Sequence, residues 1–394
     1  MRLPIVMLTV SLLCALVVDA YIFIVLRRRC RSRVPSFIQL FSAIALYVLL
    51  IVALCLPMRT GQSGMLLTKM WLLFGFMTAV LGKLVFVLID AISLIPIPFG
   101  GKRWRWLAYP AAAAGIVTFV ALWWGALVNR FNIDTTQADI EIPGLPASLD
   151  GYRIVQLSDL HVGTYGDDTA FVSRLVDHVN SLKPDLIVFT GDIVNRRTDE
   201  ILPFIDVLSR LHAAAGVYSI LGNHDYGDYY DWDSDSAKAR SLAQLVDIQR
   251  DMGWHLLLNS HAVIHAGADS IALVGVENVG DPPFKVYGDL SAAYPDLSDG
   301  VTKILLTHNP VHWDMEVAGN DSVNVALTLS GHTHAMQIRL LGLSPAAWRY
   351  DHWGGLYSDG KGHQLYVNIG VGTVGLPMRL GATPEVTLFT LRRK

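Results

Sequence analysis

The sequence predicts a multi-span α-helical membrane region followed by an α/β domain, and three observations carry that reading. Four long apolar stretches fill the first third of the chain. Charge is divided between the two parts: residues 1–143 hold 13 Lys/Arg against 5 Asp/Glu, whereas residues 144–394 hold 18 against 29. In the second part, apolar runs of strand length alternate with helix-like stretches, the pattern of βαβ units in an α/β sandwich. Residues 1–128 are thus expected to form a four-helix transmembrane region, 129–149 a linker and 150–394 the α/β domain.

The apolar stretches Pro4–Leu26, Phe37–Pro57, Met70–Pro98 and Leu107–Val128 each approach or exceed the roughly 20 residues that a helix needs to cross a bilayer core. Arginines at 27, 28, 29, 31 and 33 separate the first two spans, and Lys102, Arg103 and Arg105 the last two; Arg59 and Lys69 lie between the second and third. The positive-inside rule makes the two arginine-rich loops cytoplasmic. Four spans then leave the C-terminal domain outside the cytoplasmic membrane, as part of an integral, multi-pass protein whose partner is the lipid bilayer. Lys83 and Asp90 interrupt the third span on one helical face, where intramembrane charge needs a partner. A helix–helix polar contact is expected, with Asp19 the partner for Lys83.

Composition narrows the second part further. Its acidity argues against a nucleic-acid partner, which requires a basic surface. Cys14, Cys30 and Cys55 all precede it and all 13 histidines lie within it, so it offers no thiolate ligand and many imidazoles.

In chain order, the strand-like run at 152–158 ends in Asp159-Leu160-His161. A helical stretch, Thr169–Leu182, leads to the run 185–190, which ends in Gly191-Asp192. A second helical stretch, Ile201–His212, leads to 217–221 and Gly222-Asn223-His224-Asp225. The acidic, aromatic segment 225–236 starts like a calcium loop (Asp231, Asp233, Asp235). It has Ser236 where the glycine and Leu242 where the glutamate should stand, so it reads as a loop rimming the active site. A helix over Ala237–Met252 follows, then strands near 271–276 and 303–306, the latter ending in Thr307-His308. The run 323–329 ends in Ser330-Gly331-His332-Thr333-His334, and strands near 364–369 and 385–391 close the domain.

In α/β sheets ligands gather beyond the carboxyl ends of strands. Five such ends supply Asp159, His161, Asp192, Asn223, His308, His332 and His334. Seven imidazole, carboxylate and amide groups exceed what one catalytic metal, which keeps a position open, can use. Two divalent ions sharing a bridging carboxylate use them all. Nitrogen and oxygen donors without sulfur favour Mn, Fe or Zn over Mg.

At these residues the chain resembles the calcineurin-like metallophosphoesterase superfamily, whose pattern D-x-H, G-D, G-N-H-[DE], H and G-H-x-H is complete and in order over residues 150–394. Within it, the chain is similar to the membrane-associated bacterial phosphoesterase branch, on Ser158 to His161, Ser330 to His334 and Gly370-x-Gly372-x-x-Gly375-Leu376-Pro377-x-Arg379. The resemblance implies a double β-sandwich flanked by helices. It implies Asp159, His161 and His334 on one metal, Asn223, His308 and His332 on the other, and Asp192 between them. It also implies His224 near the leaving group, with Asp225 orienting it. Where the branch often has Gly-Gly after the last metal histidine, this chain has Ala335-Met336. Arg379 is a candidate phosphate contact or simply a loop residue.

The chemistry follows from charge. A phosphoester is an anion attacked by an anion, so two cations are needed to neutralise it and to make hydroxide available near neutral pH. His224 can then protonate the leaving alkoxide. The function expected is a membrane-anchored phosphodiesterase acting on a phosphoester, with lipid or envelope intermediates among the substrates. The alternatives are a pyrophosphate-bond hydrolase such as a UDP-2,3-diacylglucosamine hydrolase, or a non-catalytic membrane receptor or scaffold.

Overall fold

The computed structural model describes residues 2–57, 59–60, 63–280 and 285–394, with side chains from residue 10 onward except at 63. The chain divides into two units, Met1–Leu127 with Leu376–Met378, and Val128–Gly375 with Arg379–Lys394.

The first unit holds helices α1 (Arg2–Arg29), α2 (Val34–Cys55), α3 (Ser63–Ile92) and α4 (Ala108–Leu127). Among the described residues, four helical segments are long and apolar enough to cross a membrane: Val10–Arg29, Val34–Cys55, Gly64–Phe99 and Arg105–Phe131. Large apolar side chains such as Val17, Phe41 and Val117 point outward, as they do on helices surrounded by lipid. Helices α3 and α4 approach closely at Gly82 and Gly115, where a Cβ on Gly82 would lie 2.9 Å from the Gly115 carbonyl oxygen. Small residues allow such contact between membrane helices.

The intramembrane charges are paired as expected. Lys83 Nζ lies 2.8 Å from Asp19 Oδ1, and Gln39 and Tyr47 also donate to that carboxylate. Asp90 is fully buried and takes Arg29 at 2.9 Å, Arg103 at 2.5 Å and the Tyr21 hydroxyl at 2.9 Å. Arg29 and Arg103 come from the two arginine-rich connections, so Asp90 gathers both at one end of this helical unit.

The second unit is a two-sheet α/β sandwich with flanking helices, the fold class expected. Its strands are β1 (Asp134–Ile142), β2 (Arg153–Leu157), β3 (Leu186–Phe189), β4 (Val217–Ser219), β5 (Trp254–Leu256), β6 (Ser260–Ala266), β7 (Asp269–Gly275), β8 (Lys303–Leu306), β9 (Val325–Ser330), β10 (Gly355–Ser358), β11 (Gln364–Val367) and β12 (Glu385–Arg393). Among the described residues one sheet runs β1-β12-β2-β3-β4-β5 and the other β10-β11-β9-β8-β7-β6. The ladders β2-β3-β4-β5 and β7-β8-β9-β11 are parallel. Helices α5 (Ala170–Ser181), α6 (Ile205–Leu208) and α7 (Asp235–Asp251) belong to the connections of the first sheet.

Strand residues are buried on both faces, so their runs are almost continuously apolar rather than alternating. In β2 and β3, Ile154, Leu186 and Val188 face the second sheet's Leu273, Ile304, Leu306 and Leu329. Their neighbours Val155, Ile187 and Phe189 face Phe171, Leu175 and Val179 of α5. The outer face of the second sheet, Val274, Leu305 and Val325 among it, is covered by Trp313, Val317 and Tyr294.

Two expectations change here. Residues 129–149 are not a free linker: they carry β1, which pairs along its whole length with β12, and Asn129 and Arg130 are already buried. The stretch Ile201–His212 is not one α-helix. Pro203 cannot donate to an α-helical ladder, and a 3₁₀ segment, Thr198–Phe204, precedes the single turn α6.

Candidate metal centre

Each predicted ligand stands just beyond the carboxyl end of a parallel strand: β2 (Asp159, His161), β3 (Asp192), β4 (Asn223), β8 (His308) and β9 (His332, His334). Both sheets therefore contribute to one place. Asp159, His161, Asp192, His308 and His334 are all buried.

The ligand atoms form two groups that share one oxygen. In the first, His334 Nε2 lies 3.1 Å from Asp159 Oδ1 and 3.1 Å from His161 Nε2. In the second, Asn223 Oδ1 lies 3.0 Å from His308 Nε2 and 2.9 Å from His332 Nδ1. Asp192 Oδ2 stands between them, 3.5 Å from His161 Nε2 and 3.2 Å from His308 Nε2.

The backbone that aims these groups is strained. Asp159, His161, Asp192, His332 and His334 all have positive φ, between 47° and 74°. Non-glycine residues held there cost on the order of 1–3 kcal/mol each and persist only where the surroundings dictate them. Cross-links between strand ends do so: Asp159 N–H donates to Gly191 O, His161 N–H to Asp192 O and Gly331 N–H to His308 O. Gly331 must lack a side chain because a Cβ there would overlap the Asp159 carboxylate. Gly191 (φ 93°) is likewise pressed against the backbone of Gly222.

The far nitrogens of the imidazoles set their tautomers. His161 Nδ1 faces Val194 O at 3.2 Å and His308 Nδ1 faces Thr190 O at 2.8 Å. Each can only donate to a carbonyl, which leaves the Nε2 lone pair aimed at the centre. His332 Nε2 meets the Tyr350 hydroxyl at 3.1 Å. Asn223 Nδ2 donates to the Tyr229 hydroxyl at 2.9 Å, which turns its Oδ1 inward.

Burial resists ionisation of Asp159 and Asp192, yet the surrounding imidazoles outweigh it and hold both carboxyls below the usual range. Burial pushes His161 down, and burial with the neighbouring His308 pushes His332 down to about 3. Burial also opposes the charge on His308, but Asp192, Asp159 and the Thr190 carbonyl together raise it to about 9. Two ionised carboxylates among converging imidazoles, with His308 giving up its proton as a cation takes its place, are a donor set suited to divalent cations.

Three side-chain roles differ from the sequence reading. Asp225 does not touch the His224 ring. Its carboxylate accepts the backbone N–H groups of Asp192, Ile193, Val194 and Gly222 at 2.8–3.2 Å, and so ties β3's end to β4's. Burial, then the Asp192 charge, raises its carboxyl to about 7. His224 is oriented instead by Asn195 O, 2.6 Å from its Nδ1, and by stacking on Tyr229 at 4.2 Å between centroids. Arg379 is neither a surface residue nor a free phosphate contact. It is fully buried, and its guanidinium donates to the carbonyls of Ile369, Gly372 and Ala382 and to His334 Nδ1.

Tyr229, Tyr350 and Arg379 were not among the predicted site residues. Tyr229 and Tyr350 line, with Asn223, Asn278, Gly280, Asn309, His332 and Arg349, a cavity of about 190 Å³ beside the second ligand group.

The departure at Ala335-Met336 has a backbone cost. His334, Ala335, Met336 and Gln337 all have left-handed φ, 46° to 59°, a run that glycine adopts without penalty and other residues at about 1–2 kcal/mol each. Met336 is half-exposed, so Met336→Gly removes little packing. Glycine's greater freedom in the unfolded chain offsets part of the gain. The substitution should stabilise the protein by up to about 1 kcal/mol, read as a higher melting temperature with metal content unchanged; a lower one would contradict the strain.

Comparison with known proteins agrees with this geometry. Residues 152–336 match the model of the family described as calcineurin-like phosphoesterase. The chain is 33% identical to the "uncharacterized metallophosphoesterase YkuE" of Bacillus subtilis, over 72% of this chain and 94% of that protein. It is 30% identical to the bovine "transmembrane protein with metallophosphoesterase domain", over 73% of this chain and 64% of that one. It is also 30% identical to the "UDP-2,3-diacylglucosamine pyrophosphatase LpxG" of Chlamydia trachomatis, over 58% and 76% respectively. A relative one-third identical along nearly its whole length, together with the family match across the ligand-bearing strands, identifies the chain as a calcineurin-like phosphoesterase, a metal-dependent phosphoric ester hydrolase.

Proposed function

We propose that this is a membrane-anchored phosphodiesterase with two metals, Mn, Fe or Zn. Asp159, His161 and His334 would hold one ion, Asn223, His308 and His332 the other, and Asp192 both. The observation that carries the reading is the pair of ligand groups sharing Asp192 Oδ2. When bound, the ions supply positive charge for the phosphate oxygens and lower the pKa of water.

The chain's own groups do the rest. His224 Nδ1 is engaged by Asn195 O, so its Nε2 remains to carry a proton to the departing alkoxide. Asp225 fixes the strand ends from which Asp192 and Asn223 project. Tyr229 and Tyr350 hold Asn223 and His332 in orientation and wall the adjoining cavity, where the remainder of the substrate would lie.

A second reading is hydrolysis of a pyrophosphate bond in a UDP-2,3-diacylglucosamine-type lipid, favoured by the likeness to LpxG. That substrate is made in the cytoplasm, whereas the arginine distribution favours a domain outside the cytoplasmic membrane. One experiment separates the two. The full chain, reconstituted with Mn, should hydrolyse bis-p-nitrophenyl phosphate faster than the nucleotide-linked lipid, and intact expressing cells should hydrolyse a membrane-impermeant diester. Preference for the pyrophosphate, with activity only after lysis, would favour the second reading.

A further inference from the structure

From the last metal-site histidine the chain runs out into a segment whose tip is apolar and unusually exposed. Arg339–Leu343 folds back on itself. Leu340 and Leu343 exchange backbone hydrogen bonds of 2.9 and 3.0 Å, and Leu341 and Gly342 between them have φ of 53° and 81°. Two central residues with positive φ make the turn that Asn-Gly or Gly-Gly normally forms. A leucine in the first of these positions is conformationally unfavourable, and no packing explains it: Leu341 is 103% exposed. Leu340 and Leu343 are exposed beside it, and the next turn, Pro345–Trp348, presents Trp348 at 91% exposure.

We propose that this tip docks on a lipid bilayer. Leucine and tryptophan together suit the boundary between headgroups and acyl chains, and a contiguous exposed apolar patch marks an interaction surface. Exposed Arg339 and Arg349 flank it, with one acid, Asp351, alongside; that balance suits lipid phosphates. The bilayer is the occupant because this chain carries its own apolar spans. The second unit also follows directly in the chain, beginning at Val128 where α4 ends at Leu127.

The same segment reaches the metal centre. Arg349 lines the cavity beside His332, and the Tyr350 hydroxyl touches His332. A tip anchored among acyl chains holds the cavity mouth at the level of the headgroups. The substrate class is therefore a phosphodiester at the membrane surface. This deepens the phosphodiesterase reading, on which only the substrate half of the test depends.

The test uses the full chain in vesicles of phosphatidylethanolamine and phosphatidylglycerol, with Cys14, Cys30 and Cys55 replaced by serine. Nitroxide labels at L341C and W348C should collide with oxygen in preference to a water-soluble nickel chelate, and a label at D251C, on exposed α7, should show the reverse. Labels at 341 and 348 that favour nickel as 251 does would overturn the proposal. So would labels shielded from both reagents, which would mean that a protein covers the tip. In the substrate half, Leu341→Asn with Trp348→Ser should lower the ratio of rates on a p-nitrophenyl phosphodiester of diacylglycerol and on soluble bis-p-nitrophenyl phosphate at least tenfold. An unchanged ratio would overturn the link to substrate. If the parent chain hydrolyses neither compound, the phosphodiesterase reading fails and the label positions alone decide the docking.

Discussion

Asp192→Ala should abolish hydrolysis and remove more than one equivalent of metal per chain. Asp192 Oδ2 is the atom common to both ligand groups, while Oδ1 accepts the His224 backbone N–H at 2.8 Å. Without the carboxylate, His161 and His308 face each other with no anion between them, and neither ion keeps its shared ligand. Asp192→Asn is the informative companion. Asparagine tolerates the left-handed backbone at φ 62° and can still accept from His224, so it isolates the loss of charge. Elemental analysis of purified, folded protein decides the matter: two ions retained in an inactive Asp192→Ala chain would remove the residue from the bridging role.

His224→Ala should behave differently, keeping both metals but losing turnover. Protonation of a leaving group by a positioned acid is typically worth about 10²–10⁴-fold, so an alkyl diester should suffer a loss of that order. A p-nitrophenyl ester, whose leaving group departs without help, should suffer much less. Because the ring also stacks on Tyr229, His224→Gln serves as a control for packing. Equal losses on good and poor leaving groups would mean that His224 only supports the site's shape.

The candidate centre could be read from the sequence because the residues proposed as ligands are polar and stand where apolar strands stop. Nothing in a strand such as Leu186–Phe189 competes with that signal. What surrounds the centre was less legible, because its contacts link distant parts of the chain. Arg379 meets His334 from a separate loop, and Tyr229 and Tyr350 look like ordinary loop aromatics until the fold brings them to Asn223 and His332. The Asp225 role was misread for a related reason: a side chain next to His224 in sequence turns toward the backbone of β3 instead. Strand β1 was read as linker because Asp134-Thr-Thr-Gln-Ala-Asp-Ile-Glu-Ile is half polar, as an edge strand should be. Its partner lies some 250 residues downstream. The left-handed run at 334–337 carried no sequence signal, since neither alanine nor methionine advertises positive φ.

Strand β12 lies between β1 and β2, pairing with both, although residues 385–393 are translated long after them. Until residues 385–393 have been made, β1 has no neighbour and one edge of β2 stays open, even once β3, β4 and the loops after them have emerged. Open strand edges invite pairing with other chains. The nascent enzyme therefore stays in a vulnerable form until β12 has been made. A chain cut short within β12 should yield aggregates rather than a weakened hydrolase.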